Sequence, residues 1–469
     1  MLFNSIDFAI FLPIVFLLYW LGTQNNLRAR NALLLVASYV FYGWWDWRFL
    51  SLIVFSSFVD FYVGWALGQT ENKGRRKALL WTSILVNIGF LGFFKYYNFF
   101  AESLAGAFTF FGQTLQLNTL NIILPVGISF YTFQTMSYTL DIYRKKFEPT
   151  ADIIAFFAFV SFFPQLVAGP IERAAHLLPQ FHQPKTFSYG LVSDGLKKML
   201  WGLFMKVAVA DRLALYVESI YGHVGMHTGL SFSVATVFFS FQIYCDFAGY
   251  SLIAIGCAQL FGYDLMENFR RPYFSSSFKE FWGRWHISLS TWFRDYVYIP
   301  LGGSRVSNSR RYLNLFTTFV VSGLWHGANW TFIAWGAIHG LYQIIEKGIF
   351  KIDTRVRGHF LRILIVFFFT CLAWIFFRAN NITDALQIIH TIFTEPGHHI
   401  HIGDKGIFAF SILGISVLLA VDFMQEYYPQ VKLLHHPKIA VRFGSIIFLV
   451  LYIVSLGVFD GSQFIYFQF

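Results

Sequence analysis

Charge is scarce in this 469-residue chain: Asp, Glu, Lys and Arg together make up 13% of it, about half the share of an ordinary soluble domain. An ordinary soluble enzyme is thereby excluded. Cysteine is nearly absent. Cys245, Cys257 and Cys371 all sit in apolar stretches, and an odd, buried set is neither a disulfide framework nor a CxxC metal site. No Pro-, Gly- or Ser-rich linker divides the chain, so its length reads as one integral unit rather than as strung soluble domains. Walker A, HExxH and GxSxG sequences are missing, as is a GxGxxG preceded by a strand. That removes support for phosphate-loop, zinc-protease and serine-hydrolase chemistry.

What is abundant is apolar surface. Hydrophobic residues reach 56% and aromatics 21%, with 59 Phe, 24 Tyr and 14 Trp, which excludes disorder and coiled coil. A bilayer core needs roughly 20 apolar residues per helix, and residues 2–22, 31–46, 48–68, 78–98, 120–143, 229–262, 312–345, 360–378, 405–425 and 441–459 qualify as spans. The expected architecture is an all-α polytopic membrane protein with about ten to twelve transmembrane helices, joined by re-entrant and interfacial segments. Pro164 and Pro170 interrupt 151–169, and 229–262 is too long for one upright helix, so both are expected to be broken or re-entrant. Within the single unit 1–469, residues 1–119 read as N-terminal helices, 120–350 as a core and 351–469 as C-terminal helices. The opening run Leu2–Trp20 is long enough to remain in the bilayer rather than act as a cleaved signal.

The formal net charge is +10, yet its basic residues lie in short clusters between spans, so membrane topology explains them and nucleic acid is not implied. Arg28 and Arg30, then Lys73, Arg75, Arg76 and Lys77, then Arg144, Lys145 and Lys146 each follow an inward crossing and are expected in the cytoplasm. Arg355, Arg357 and Arg362 precede an outward span, and Lys432, Lys438 and Arg442 precede the last one. Both termini then fall outside. Residues 263–311 break the pattern, with Arg270, Arg271, Lys279, Arg284, Arg294, Arg305, Arg310 and Arg311 among Trp282, Trp285, Trp292 and Tyr296. Such a mixture suits helices lying along a cytoplasmic membrane surface.

Ionisable groups at membrane depth are costly and mark function by default. His326, in Val320-Val321-Ser322-Gly323-Leu324-Trp325-His326-Gly327-Ala328-Asn329-Trp330, leads them: a neutral imidazole can take a hydroxyl proton and return it to a leaving group. The competing reading is a packing histidine. Asn329, three residues on, would share its helix face if the segment were one helix, and Gly323 and Gly327 have small-xxx-small spacing for close backbone approach. His286, in the basic interfacial stretch, could position a second substrate or be structural; His339 reads as packing. Asp246 and Asp141 could join a polar network but are expected to pair with a neighbouring Arg or cap a broken helix, and Arg173, after Glu172, could meet an anionic ligand. Gly397-His398-His399-Ile400-His401 and His435-His436 lack the Cys or acidic ligands of a metal site.

Read together, these pieces resemble the membrane-bound O-acyltransferase family. The carriers are Phe281–Gly303, with Arg284-Trp285-His286-Ile287-Ser288-Leu289-Ser290-Thr291-Trp292-Phe293-Arg294-Asp295-Tyr296, followed by Gly323-Leu324-Trp325-His326-Gly327-Ala328. Ser38–Tyr42, Leu124–Phe130, Ala168-Gly169-Pro170, Tyr244–Tyr250 and Phe464–Phe469 add to them, so that the likeness covers nearly the whole chain. It is similar in particular to the bacterial branch that modifies alginate, peptidoglycan and teichoic acids. The resemblance implies helices around a funnel, His326 as the family's near-invariant histidine and His286 as its accessory one. It further implies acetyl-CoA as the donor substrate with no bound cofactor, and a bacterial inner-membrane location. Asn329 would steady an oxyanion, and Trp325, Arg284, Arg294, Asp246 and Arg173 would serve substrate binding. A polysaccharide acceptor would be reached directly or through an extracytoplasmic partner of SGNH-hydrolase type, which the resemblance implies since Asp460-Gly461-Ser462 is not a GDS nucleophile motif. A proton-coupled transporter and a scaffold of an export complex are the alternatives.

Overall fold

The computed structural model describes residues 1–23, 26–115, 117–167, 169–348, 359–459 and 464–465, with backbone only at 349–350. Arg355, Arg357, Asp460-Gly461-Ser462, Ala168 and residues 466–469 lie outside the described residues. The described residues are mostly helical and contain no strand. They form two compact units, one of Met1–Leu196 with Ala254–Met266 and one of Lys197–Ile253 with Glu267–Phe469.

The first unit opens with α1 (Ile6–Leu17), α2 (Leu27–Asp46), α3 (Leu50–Gly68), α4 (Lys73–Leu91), α5 (Tyr97–Phe110) and α6 (Ile128–Tyr143). α1, α2 and α4 begin where a short polar side chain takes an otherwise orphaned amide. Ser5 accepts from Phe8, Asn26 from Ala29 and Asn72 from Arg75. The apolar stretch Leu27–Gly68 has 42 residues, about twice what a bilayer needs, and it bends at Trp47–Phe49 to give two helices, α2 and α3. The stretch 151–169 is broken as expected: α7 (Ile153–Ser161) stops at Phe162, and α8 (Phe163–Leu166) restarts with Pro164 in its first turn, where proline has no amide to lose. A short α9 (Ala174–Leu177) follows.

Basic loops of this unit share one face, as the charge alternation predicts. The Arg30 guanidinium donates to the Lys185 carbonyl at 2.6 Å, and His182 meets Thr150 at 3.3 Å. Pro149 rests on Gly68, and Arg76 donates to the carbonyls of Ile142 and Tyr143, where α6 ends. Met1 instead donates to Phe41 O at 2.8 Å, near the opposite end of α2 from Arg30. Inside the unit, buried Asp60 on α3 accepts from Asn87 on α4 at 2.8 Å and from Ser83, while Thr135 on α6 donates to the same Asn87 at 3.2 Å. Polar side chains of this kind tie membrane helices where lipid offers no hydrophobic drive. Glu172, fully buried, holds His176 at 2.7 Å, and His176 reaches Asp264 at 3.5 Å.

Two helices run from one unit into the other, α10 (Tyr189–Leu203) and α12 (Gly229–Leu260), with α11 (Asp211–Tyr221) between them. The 229–262 span is thus a single helix of 32 residues, not the broken one expected. At about 1.5 Å per residue it is near 48 Å long, more than the roughly 30 Å of a bilayer core. The second unit continues with the seven-residue helices α13 (Phe278–Arg284) and α14 (Ile287–Phe293), too short to cross a bilayer. Then come α15 (Asn308–His326), α16 (Trp330–Ile345), α17 (His359–Arg378), α18 (Ile382–Thr394), α19 (Lys405–Tyr427) and α20 (Ile439–Leu456). Six stretches among the described residues are long and apolar enough to cross a membrane; the chain is a multi-pass membrane protein.

Candidate active site

The 312–345 span is not one helix. α15 ends at His326, Gly327 is extended (φ −161°), and Asn329 opens α16 by accepting from Thr331 N at 3.0 Å. The chain folds back as a helical hairpin with His326 at its tip. Asn329 therefore does not share a helix face with His326, contrary to expectation: its amide caps α16 and donates to Asn380 O at 2.8 Å. The hairpin closes tightly because Gly323 and Gly336 meet, with a Cβ on Gly336 falling 3.1 Å from the Gly323 Cα and on top of the Phe319 carbonyl. Gly327 leaves room for the Phe332 ring. Missing side chains let two backbones touch, and polar tip atoms take the amides freed by the break.

Around the tip the walls are aromatic. His326 is 2% exposed, and its ring lies edge-on to Trp335 (4.9 Å between centroids), Trp325 (5.0 Å) and Phe377 (5.5 Å). His286 is fully buried, set edge-on to Phe247 at 4.5 Å and stacked on Phe269 at 6.1 Å. Trp325 also flanks His286, at 6.3 Å. Both candidate imidazoles thus border one indole, although 40 positions separate them in the chain. His339 is held apart, stacked on Phe281 and accepting from Trp282 Nε1 at 3.4 Å.

Charged residues named from the sequence have polar partners of their own. Arg284 pairs with Glu280 at 2.6 Å and Glu426 at 2.9 Å, and Glu426 also binds Arg271 at 2.7 Å. Arg294 lies exposed against Asp295 at 2.8 Å. Asp246 is buried and takes Lys206 Nζ at 2.7 Å and the Ile465 amide at 2.7 Å, while the same ammonium binds Asp211 at 2.7 Å. Glycine makes this possible too: Gly202 on α10 and Gly249 on α12 each face the other's carbonyl, 2.6 and 2.8 Å from where a Cβ would be. Arg173, beside buried Glu172, belongs to the first unit. His401 packs its ring on His227 at 4.9 Å and gives its carbonyl to Tyr216. Sequence reasoning passed over Lys206, although a lysine inside Leu203–Ala210 carries the same membrane-depth signal as His326. It also passed over Asn268, whose side chain meets His286 Nδ1 at 3.0 Å; an asparagine in a polar loop gives no such signal.

Two imidazoles in dry, aromatic surroundings beside one indole suit proton transfer to and from a hydroxyl, sheltered from competing water. The sequence pattern of the membrane-bound O-acyltransferase family matches residues 78–383, a range that contains both histidines. The chain belongs to that family. A Pseudomonas aeruginosa protein named "Probable alginate O-acetylase AlgI" is 41% identical over 398 residues, covering 84% of this chain and 75% of its own. The peptidoglycan O-acetyltransferase of Helicobacter pylori is 36% identical over 426 residues, 83% of this chain and 79% of its own. The teichoic acid D-alanyltransferase of Bacillus subtilis is 27% identical over 276 residues, 55% of this chain and 70% of its own. As a member of the O-acyltransferase family, the chain is a membrane acyl-transfer enzyme.

Proposed function

We propose that this enzyme takes acetyl from acetyl-CoA on the cytoplasmic side of a bacterial inner membrane and delivers it for O-acetylation of a cell-envelope polysaccharide. The observation that carries the reading is that both imidazoles neighbour Trp325, in a chain similar over most of its length to polymer O-acetylating proteins. His326 acts as general base. It takes the acceptor hydroxyl's proton as the oxygen attacks the thioester carbonyl, and the departing thiolate of CoA recovers that proton as the C–S bond breaks. His286 is the second imidazole of the same reaction, and Trp325, Trp335 and Phe377 keep water out. The phosphates of the donor meet exposed cations of the 263–311 segment, Lys279, Arg305 and Arg310, with Arg294 adding to the positive field. The two units work as one integral domain, both termini face the exterior, and an extracytoplasmic partner of SGNH-hydrolase type passes acetyl to the polymer.

The test is His326→Ala in protein shown to insert normally, read by mass spectrometry of envelope polysaccharides. Loss of O-acetyl groups is the expected result. Undiminished acetylation would reduce the chain to a scaffold, and altered flux of an unmodified solute would make it a transporter.

A further inference from the structure

The structure assigns Asn268 as the positioning residue that sets the tautomer of His286 and leaves its Nε2 as the reactive atom. This rests on the acyl-transfer reading of the two imidazoles. His286 Nδ1 lies 3.0 Å from Asn268 Oδ1. Either atom of a side-chain amide could face a ring nitrogen, and which one does decides where the proton sits. Here a main-chain group decides. Ser288 N, which can only donate, points at the same Asn268 atom at 3.3 Å, and Ser288 Oγ adds a second bond at 2.9 Å. That atom must be the carbonyl oxygen. Asn268 Nδ2 then donates to Ser251 Oγ at 3.1 Å, which suits the same orientation. With an acceptor opposite, Nδ1 carries the hydrogen, and Nε2 holds the lone pair.

Backbone geometry supports the same end. Asn268 O accepts from Ile287 N at 2.9 Å, so residue 268 is fastened to 286–288 by main chain and side chain alike. His286 itself adopts φ +43°, one of three non-glycine residues with positive φ among those described. An imidazole-bearing residue held in this region costs about 1–2 kcal/mol and is retained where surrounding contacts over-determine it. Phe247 and Phe269 grip the ring, and Nε2 is buried without a hydrogen-bond partner among the described residues. The ring is thus oriented through Nδ1 by Asn268, with Nε2 turned to no polar partner among the described residues.

The experiment measures acetyl transfer from labelled acetyl-CoA in membrane vesicles carrying the full chain, per inserted molecule, for three variants. Asn268→Ala is expected to lower kcat roughly 10- to 100-fold, within the range a positioned base contributes, with KM for acetyl-CoA unchanged. Asn268→Asp still accepts from Nδ1 and Ser288 N, so it should keep most of the rate. Its negative charge should move the acidic limb of the pH–rate profile up by about one unit or more, which a purely structural residue would not do. Wild-type kcat in Asn268→Ala, with His286→Ala slow, overturns this inference alone. An Asn268→Asp protein as slow as Asn268→Ala, with an unshifted limb, also overturns it and makes Asn268 a packing residue. Full rate in His286→Ala overturns the role of His286 in the site, and this inference with it.

Discussion

Gly336→Ala is the sharpest test of the hairpin that carries His326. A methyl group at 336 would sit on the Phe319 carbonyl oxygen, well inside the 3.0 Å that real Cβ atoms respect, with the Gly323 Cα at 3.1 Å behind it. Neither obstacle is a flexible side-chain end; both are backbone of α15. To restore ordinary contact near 3.5 Å, α15 and α16 must part by about 1 Å. Overpacking of this kind costs about 1–3 kcal/mol of stability, which a membrane bundle can bear. The displacement falls next to Trp335, the wall of His326, and a misplacement of about 1 Å at a reacting group is worth roughly 100-fold in rate. The expectation is a protein that inserts but transfers acetyl about two orders of magnitude more slowly, measured as labelled acetyl incorporated per inserted molecule. Gly89→Ala is the control, since a Cβ there meets nothing within 4 Å. Gly336→Ala at the rate of the Gly89→Ala control would refute the claim that glycine contact positions the imidazole.

Two further outcomes follow from the ion pairs. Lys206→Met strands Asp211 and Asp246 as buried carboxylates without their cation, a loss of about 3–5 kcal/mol; the apparent melting temperature in detergent should fall sharply, and the additional change Asp246→Asn should recover part of it. In the first unit, Glu172 holds the His176 imidazole above its usual range through their hydrogen bond. A group raised in the folded state contributes its stability below the ordinary histidine value and loses it as pH rises through the folded one. Melting temperature should therefore decline above about pH 6.5 more steeply in the wild type than in His176→Gln; parallel pH profiles would contradict the pairing.

Hydropathy and loop charge carried the architecture. Spans such as 405–425 and 441–459, the interruption near Pro164 and the shared face of the basic loops all follow from one local rule: an apolar helix must be as long as the bilayer, and prolines or charges end it. His326 stood out for a related reason, because a polar ring in Val320–Trp330 is costly at membrane depth, whereas His286 was singled out through the family resemblance. What the chain alone settled was thus its membrane class and its resemblance to an acyltransferase family, with two imidazoles as candidates. Local rules do not reach contacts between residues distant in sequence. Tertiary structure decided that 312–345 folds back at Gly327 while 229–260 does not break, that Lys206 rather than an arginine meets Asp246, and that Arg284 is taken by Glu280 and Glu426. It also placed Trp325 beside both histidines and the Asn268 oxygen on one of them, since a hydrogen bond between positions 268 and 286 exists only after helices have packed.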